Sequence, residues 1–112
     1  MTVESYTVRI WMAGDYDDAR RVVRQFCANE GACFALTRAD FIYSGGEESG
    51  VMATLIHYPR FPSTPQALWA KAHRLAAEMA IALCQKSYSV EASDKTEWVQ
   101  VALPAFGGST CA

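Results

Sequence analysis

Residues 42–65 read IYSGGEESGVMATLIHYPRFPSTP, and this stretch decides how the chain folds. A glycine-rich acidic segment, SGGEESG, interrupts the apolar pattern before it. The run GVMATLIHY then alternates as a strand, with Val51, Ala53, Leu55 and His57 on one face. Pro59 and Pro62 end it, because proline cannot donate to a sheet ladder. Ser63, with Gln66 three residues on, has the spacing of a capping box, and Pro65 suits the first turn of a helix. The stretch therefore predicts a hairpin whose second strand feeds a helix. The whole SGGEESG segment is expected to form a long loop rather than a two-residue turn.

Toward the N-terminus, YTVRIWM puts Tyr6, Val8, Ile10 and Met12 on one face of a strand. Thr7, Arg9 and Trp11 fall on the other. Gly14 breaks the pattern, Asp15 is an N-cap, and Asp17 and Asp18 suit a first helical turn. Ala19, Val22, Val23, Phe26 and Cys27 form an amphipathic stripe that Gly31 closes. Residues 32–43 predict a second strand, interrupted near Arg38-Ala39-Asp40. Toward the C-terminus, Leu68, Ala72, Leu75, Ala76, Met79 and Leu83 mark a second helix. SYSVEA and EWVQVAL are extended and flank SDKT, which fits one bent strand or a hairpin. The tail PAFGGSTCA has no period. The order β-α-β-β-α-β predicts an α+β, ferredoxin-like sandwich. Its antiparallel sheet carries two helices on one face, with room for an extra C-terminal strand. One domain over 1–101 and a flexible tail over 102–112 are expected.

The chain has 112 residues, of which 51% are hydrophobic, so a core can form without staples. A formal net charge of -2 gives no general pull on nucleic acid or anionic membrane. No apolar run approaches the roughly 18 residues of a membrane span. MTVESYTVRI lacks the plan of a signal peptide, so a cytoplasmic location is expected. Cys27, Cys33 and Cys84 read as small buried hydrophobes, and Cys111 as an exposed tail residue. No C-x-x-C pair occurs, and neither a metal nor a cofactor is implied.

Candidate binding residues come from three places. The SGGEESG segment offers Glu47 and Glu48, on a loop whose glycines would supply positive φ. It has no lysine of the phosphate-binding kind. The corner HYPRFP holds Tyr58, Arg60 and Phe61 between two prolines. A guanidinium so placed can grip a carboxylate or phosphate, although Tyr58 and Phe61 could equally staple the strand to the second helix. The first strand offers Arg9 and Trp11 on a face that the helices leave open, which Trp98 could join. Such residues are enriched at interfaces, and a homodimer through that face is expected. His57 and His73 are the only histidines, and His57 marks an alternative pocket. The strand GVMATLIHY lacks the aromatic RNA-recognition pattern, which disfavours nucleic acid.

The segments YTVRI, IYSGGEESGV, LIHYPRFPSTP and KTEWV together resemble small accessory proteins of tailed phages and prophages, over residues 5–99. The resemblance carries no catalytic residues. It implies an early or accessory phage product acting on a host protein or a defence pathway. The leading expectation is a non-enzymatic binding protein that engages a host protein or a small ligand. Glu47, Glu48, Tyr58, Arg60, Phe61, Trp11 and Arg9 would supply its surface. One alternative is a small dimeric enzyme or cofactor-binding protein with a pocket near His57 and Arg60. The other is single-stranded nucleic-acid binding by Trp11, Arg9 and Tyr58.

Overall fold

The structure is a computed structural model that describes residues 1–102. Its elements are β1 (Thr7–Ala13), α1 (Tyr16–Glu30), β2 (Ala35–Tyr43), β3 (Gly46–Ile56), α2 (Pro65–Ala82), β4 (Ser87–Ala92) and β5 (Thr96–Gln100). The strands make one antiparallel sheet in the order β2-β3-β1-β4-β5. With β1 central and both helices on one face, this is the expected ferredoxin-like α+β arrangement, and β5 is the extra strand.

Local chemistry sets the element ends. The Asp15 side chain accepts the Asp18 N–H at 3.0 Å and starts α1. Gly31, at φ +67, ends it by donating its N–H to the Cys27 carbonyl. Helix α2 starts one residue later than the capping-box spacing suggests. Thr64 is the cap, accepting from the Ala67 N–H at 3.1 Å, which places Pro65 where no N–H is needed. The Ser63 N–H goes to His57 instead.

The alternation of β1 becomes the core. Val8, Ile10 and Met12 are buried with Val51, Ala53 and Leu55 of β3 and Val90 of β4. Ala19, Val23 and Phe26 of α1 and Leu68, Ala72, Leu75, Ala76 and Met79 of α2 close over them. The predicted helix stripes are thus the buried ones.

The β2–β3 hairpin departs from expectation. Strand β2 runs unbroken through Arg38-Ala39-Asp40, because Val51, Gly50 and Ser49 of β3 stand opposite those residues. The turn is only Ser44-Gly45, and Glu47 and Glu48 lie within β3, across from Ile42 and Phe41. Neither Gly45 nor Gly46 has positive φ; among the described glycines that conformation falls to Gly14 and Gly31. Gly50 answers a different need. A Cβ there would sit 2.4 Å from both the Met12 carbonyl oxygen and the Phe41 ring. Strand β1 pairs with β3 only as far as Ala13↔Gly50, so Asp40–Ser49 projects as a two-stranded arm.

The last extended segments form a hairpin, with the Ala92 N–H donating to the Lys95 carbonyl at 2.7 Å. Cys27 is half-buried and Cys33 is exposed, so the buried-hydrophobe reading fails for Cys33. Past Ala102, the expected tail and Cys111 lie outside the described residues. Among the described residues no helix is long and apolar enough to cross a membrane.

Candidate functional site

The helix-free face of the sheet gathers side chains from all five strands. Strand register puts Trp11 across from Met52 and Ser89, and Ser89 across from Trp98. The Trp11 indole Nε1 donates to Glu91 Oε1 at 2.9 Å, and the Arg9 guanidinium stands 3.9 Å from the same oxygen. Glu91 therefore fixes the Trp11 ring while Arg9 balances its charge. The Phe41 ring meets Trp11 edge-on, with centroids 6.4 Å apart, over the space that Gly50 leaves open. Trp98 is 62% exposed.

These rings border a cleft of about 210 Å³, lined by Trp11, Phe41, Glu48, Gln85, Ser89 and Trp98 among others. Glu48 has no ion-pair partner among the described residues. The cleft thus offers aromatic walls and one uncompensated carboxylate. That combination suits a ligand carrying a flat ring and a positive charge.

The Tyr58-Pro59-Arg60-Phe61 corner is a separate feature. The Phe61 N–H donates to the Tyr58 carbonyl at 2.9 Å and closes a turn that leaves Arg60 and Phe61 exposed. Tyr58 reaches inward, and its hydroxyl donates to Cys33 Sγ at 3.5 Å. That hydrogen bond, followed by burial and the nearby Cys33 and Cys27 charges, pushes the phenol pKa up to about 12. A groove of about 190 Å³ runs past Cys33, Tyr58, Phe61 and Lys71.

His57 holds the corner to the N-terminal segment. Its Nδ1 lies 2.7 Å from the Glu4 carbonyl, and its Nε2 accepts the Ser63 N–H at 3.0 Å. Both ring nitrogens are spent on backbone groups, which assigns the Nδ1–H tautomer. His57 faces a different groove from Tyr58, and Arg60 lines neither. His57, Tyr58 and Arg60 thus do not share either of these two grooves.

The structure does bring Arg9, Trp11 and Glu48 to one face. It keeps Glu47 on the opposite face of β3, and Tyr58, Arg60 and Phe61 past the far end of that strand. Phe41 and Glu91 were missed because only strand pairing carries them to Trp11. A second cluster joins α2 to the last hairpin. The His73 ring packs on Trp69 with centroids 4.5 Å apart, and Lys95 Nζ stands 4.4 Å from the Trp69 centroid. His73 Nε2 is buried 3.4 Å from Glu97 Oε1, close enough to pair when protonated but outside hydrogen-bond geometry. The four-residue spacing of Trp69 and His73 was its visible signal.

No known protein family and no curated protein matches the sequence. Two solved structures share the fold. One is a phage SAM lyase in complex with S-methyl-5′-thioadenosine, at TM-score 0.65 and 16% identity, covering 90% of this chain and 93% of that one. The other is a phage SAM lyase in the apo state, at TM-score 0.67 and 12% identity, covering 88% and 91% respectively. At these identities the likeness is one of fold.

Proposed function

We propose that this chain is a phage-type counter-defence factor that binds the sulfonium nucleoside SAM (S-adenosylmethionine) on its helix-free face and cleaves it. The observation that carries this reading is the near-full-length fold likeness to two phage SAM lyase structures, one with S-methyl-5′-thioadenosine bound. The chemistry of the cleft supports it. Adenine stacks on tryptophan, a sulfonium is drawn to aromatic faces, and Glu48 supplies the opposing charge. Such a ligand unites the phage context with the small-ligand surface expected at Trp11.

Cleavage to S-methyl-5′-thioadenosine asks little of the protein. The substrate's own carboxylate oxygen attacks its γ-carbon, the carbon–sulfur bond breaks, and sulfur keeps the electron pair. The products are the thioether nucleoside and a five-membered lactone, with no water consumed and no proton transferred. The work of the site is to hold the chain folded for attack and to exclude water. At about 210 Å³ the cleft is smaller than the ~300–1,000 Å³ of enclosing ligand pockets, so a second copy of the chain would supply the other wall.

The rival is a host-protein partner that reads Glu47, Glu48 and the Tyr58-Arg60-Phe61 corner together. Residues 49–56 of β3 lie between Glu48 and Tyr58, and that ten-residue step spans roughly 33 Å at ~3.3 Å per residue. One partner would have to span that distance.

The test is incubation with SAM, followed by chromatography of the products, with Glu48→Gln and Trp98→Ala run alongside. The expected result is S-methyl-5′-thioadenosine in step with SAM loss, reduced in both variants. Binding without product would retain the ligand class and remove the cleavage step. No binding of either nucleoside would overturn the reading.

A further inference from the structure

We infer that the β2–β3 arm, Asp40–Ser49, docks into the groove between α1 and α2 of a second copy of this chain. The arm lacks the support that holds the rest of the sheet. Past the bond from the Gly14 N–H to the Ser49 carbonyl, it consists of two strands with no third strand paired beside them among the described residues, an arrangement of marginal stability in water. It nevertheless displays Ile42, 77% exposed, and Tyr43, 56% exposed. Such a ribbon is held in place when its apolar residues are covered.

The groove has the complementary character. It measures about 430 Å³ and is bounded by Arg21, Val22 and Gln25 of α1 and by Glu78, Ile81 and Ala82 of α2. Ile81 is 58% exposed there, so this surface too lacks a partner among the described residues. An aliphatic floor of Val22, Ile81 and Ala82 accepts a side chain such as Ile42.

Charge selects the second copy as the occupant. The arm carries Asp40, Glu47 and Glu48, and no lysine or arginine occurs between Ala39 and Pro59. Ile42 and Glu47 are cross-strand partners, so the aliphatic anchor and a carboxylate share one face of the arm. The exposed side of α1 carries Arg20, Arg21 and Arg24. Arg21 pairs with Asp18 of its own helix, whereas Arg24, next in sequence to the groove residue Gln25, has no ion-pair partner among the described residues and is the cation assigned to Glu47. Glu78 makes the α2 wall the unfavourable side, which orients the carboxylate toward α1.

Arm and groove are different surfaces, so the contact is head-to-tail. Repeated, it closes a ring or extends a filament. The arm also carries Phe41 and Glu48 of the cleft wall, whereas its anchor Ile42 and the groove residue Ile81 lie outside that cleft, so substitutions there test the docking apart from the ligand site.

The test uses native mass spectrometry and sedimentation of the full chain and two variants, Ile42→Glu and Ile81→Glu, with circular dichroism as the folding control. Wild type is expected to be oligomeric. Each variant is expected to dissociate at concentrations roughly thirtyfold higher or more, as loss of a buried anchor does. Mixed, the two variants should form a heterodimer, because each keeps the half that the other lacks. A monomeric wild type would overturn the inference, as would a wild-type assembly in either folded variant. If a variant unfolds, Glu47→Arg takes its place, with Arg24→Glu expected to restore assembly. Failure of that pair to restore it would also overturn the proposal.

Discussion

The two faces of β1 differ in what makes them. On the helix side, Val8, Ile10 and Met12 are buried by helices whose own stripes run i, i+3, i+4. Each of those residues announces its place within a few positions of itself. On the free side, Arg9 and Trp11 acquire their roles from Glu91, Phe41 and Trp98, which arrive through strand pairing from up to about ninety residues away. The core is a local pattern made three-dimensional. The candidate site is a property of register.

The contrast between the faces is tested most severely from the core side. Ile10→Ala should cost about 2–5 kcal/mol of stability, by loss of buried surface and the cavity left behind. Denaturant unfolding measures this, and Trp11→Ala in the same assay should cost far less while removing ligand binding. If the two variants lose equal stability, Trp11 belongs to the core and the contrast fails.

Gly50 lies where the faces meet. Gly50→Ala should destabilise by about 1–3 kcal/mol, because its Cβ meets the Met12 carbonyl and the Phe41 ring at once. Phe41→Ala should relieve only part of that loss, since the Met12 backbone cannot withdraw. Full rescue would mean that the aromatic contact alone requires glycine.

A smaller effect belongs to the helix end. Asp15→Ala should cost about 1 kcal/mol in thermal or denaturant unfolding, through loss of the bond to the Asp18 N–H. Asp15→Asn should keep most of it.

The smallest effect is a pH dependence at the corner. Tyr58 titrates at about 12 when folded, against 10.0 for an ordinary tyrosine, so the folded state holds that proton more tightly. Its stabilising contribution is complete below about pH 10 and is lost as the pH rises through about 12. Tyrosinate absorbance follows the titration directly. Cys33→Ala should bring Tyr58 back toward the ordinary range; an unchanged titration would assign the shift to burial alone.

The fold was legible because its signals are short-range: alternation in YTVRIWM, the stripe from Ala19 to Cys27, and Gly31. The hairpin was misread because Gly45 and Gly46 look like loop-formers. Their neighbours Glu47 and Glu48 are held extended by pairing with Ile42 and Phe41. The Ser63 cap was misplaced because nothing local reveals that His57 takes its N–H. At the site, Arg9, Trp11 and Glu48 were visible as residue types. Glu91 and Phe41 were not, since adjacency across strands is set by register.

Three tryptophans allow a direct test of whether the helix-free face is the nucleoside site. Trp11 and Trp98 border the cleft, whereas Trp69 packs against His73 on α2. The measurement is the movement of the three indole N–H resonances during titration with S-methyl-5′-thioadenosine. A nucleoside site on this face predicts saturable shifts of Trp11 and Trp98 with Trp69 unmoved. Shifts confined to Trp69, or none at saturating nucleoside, would contradict it.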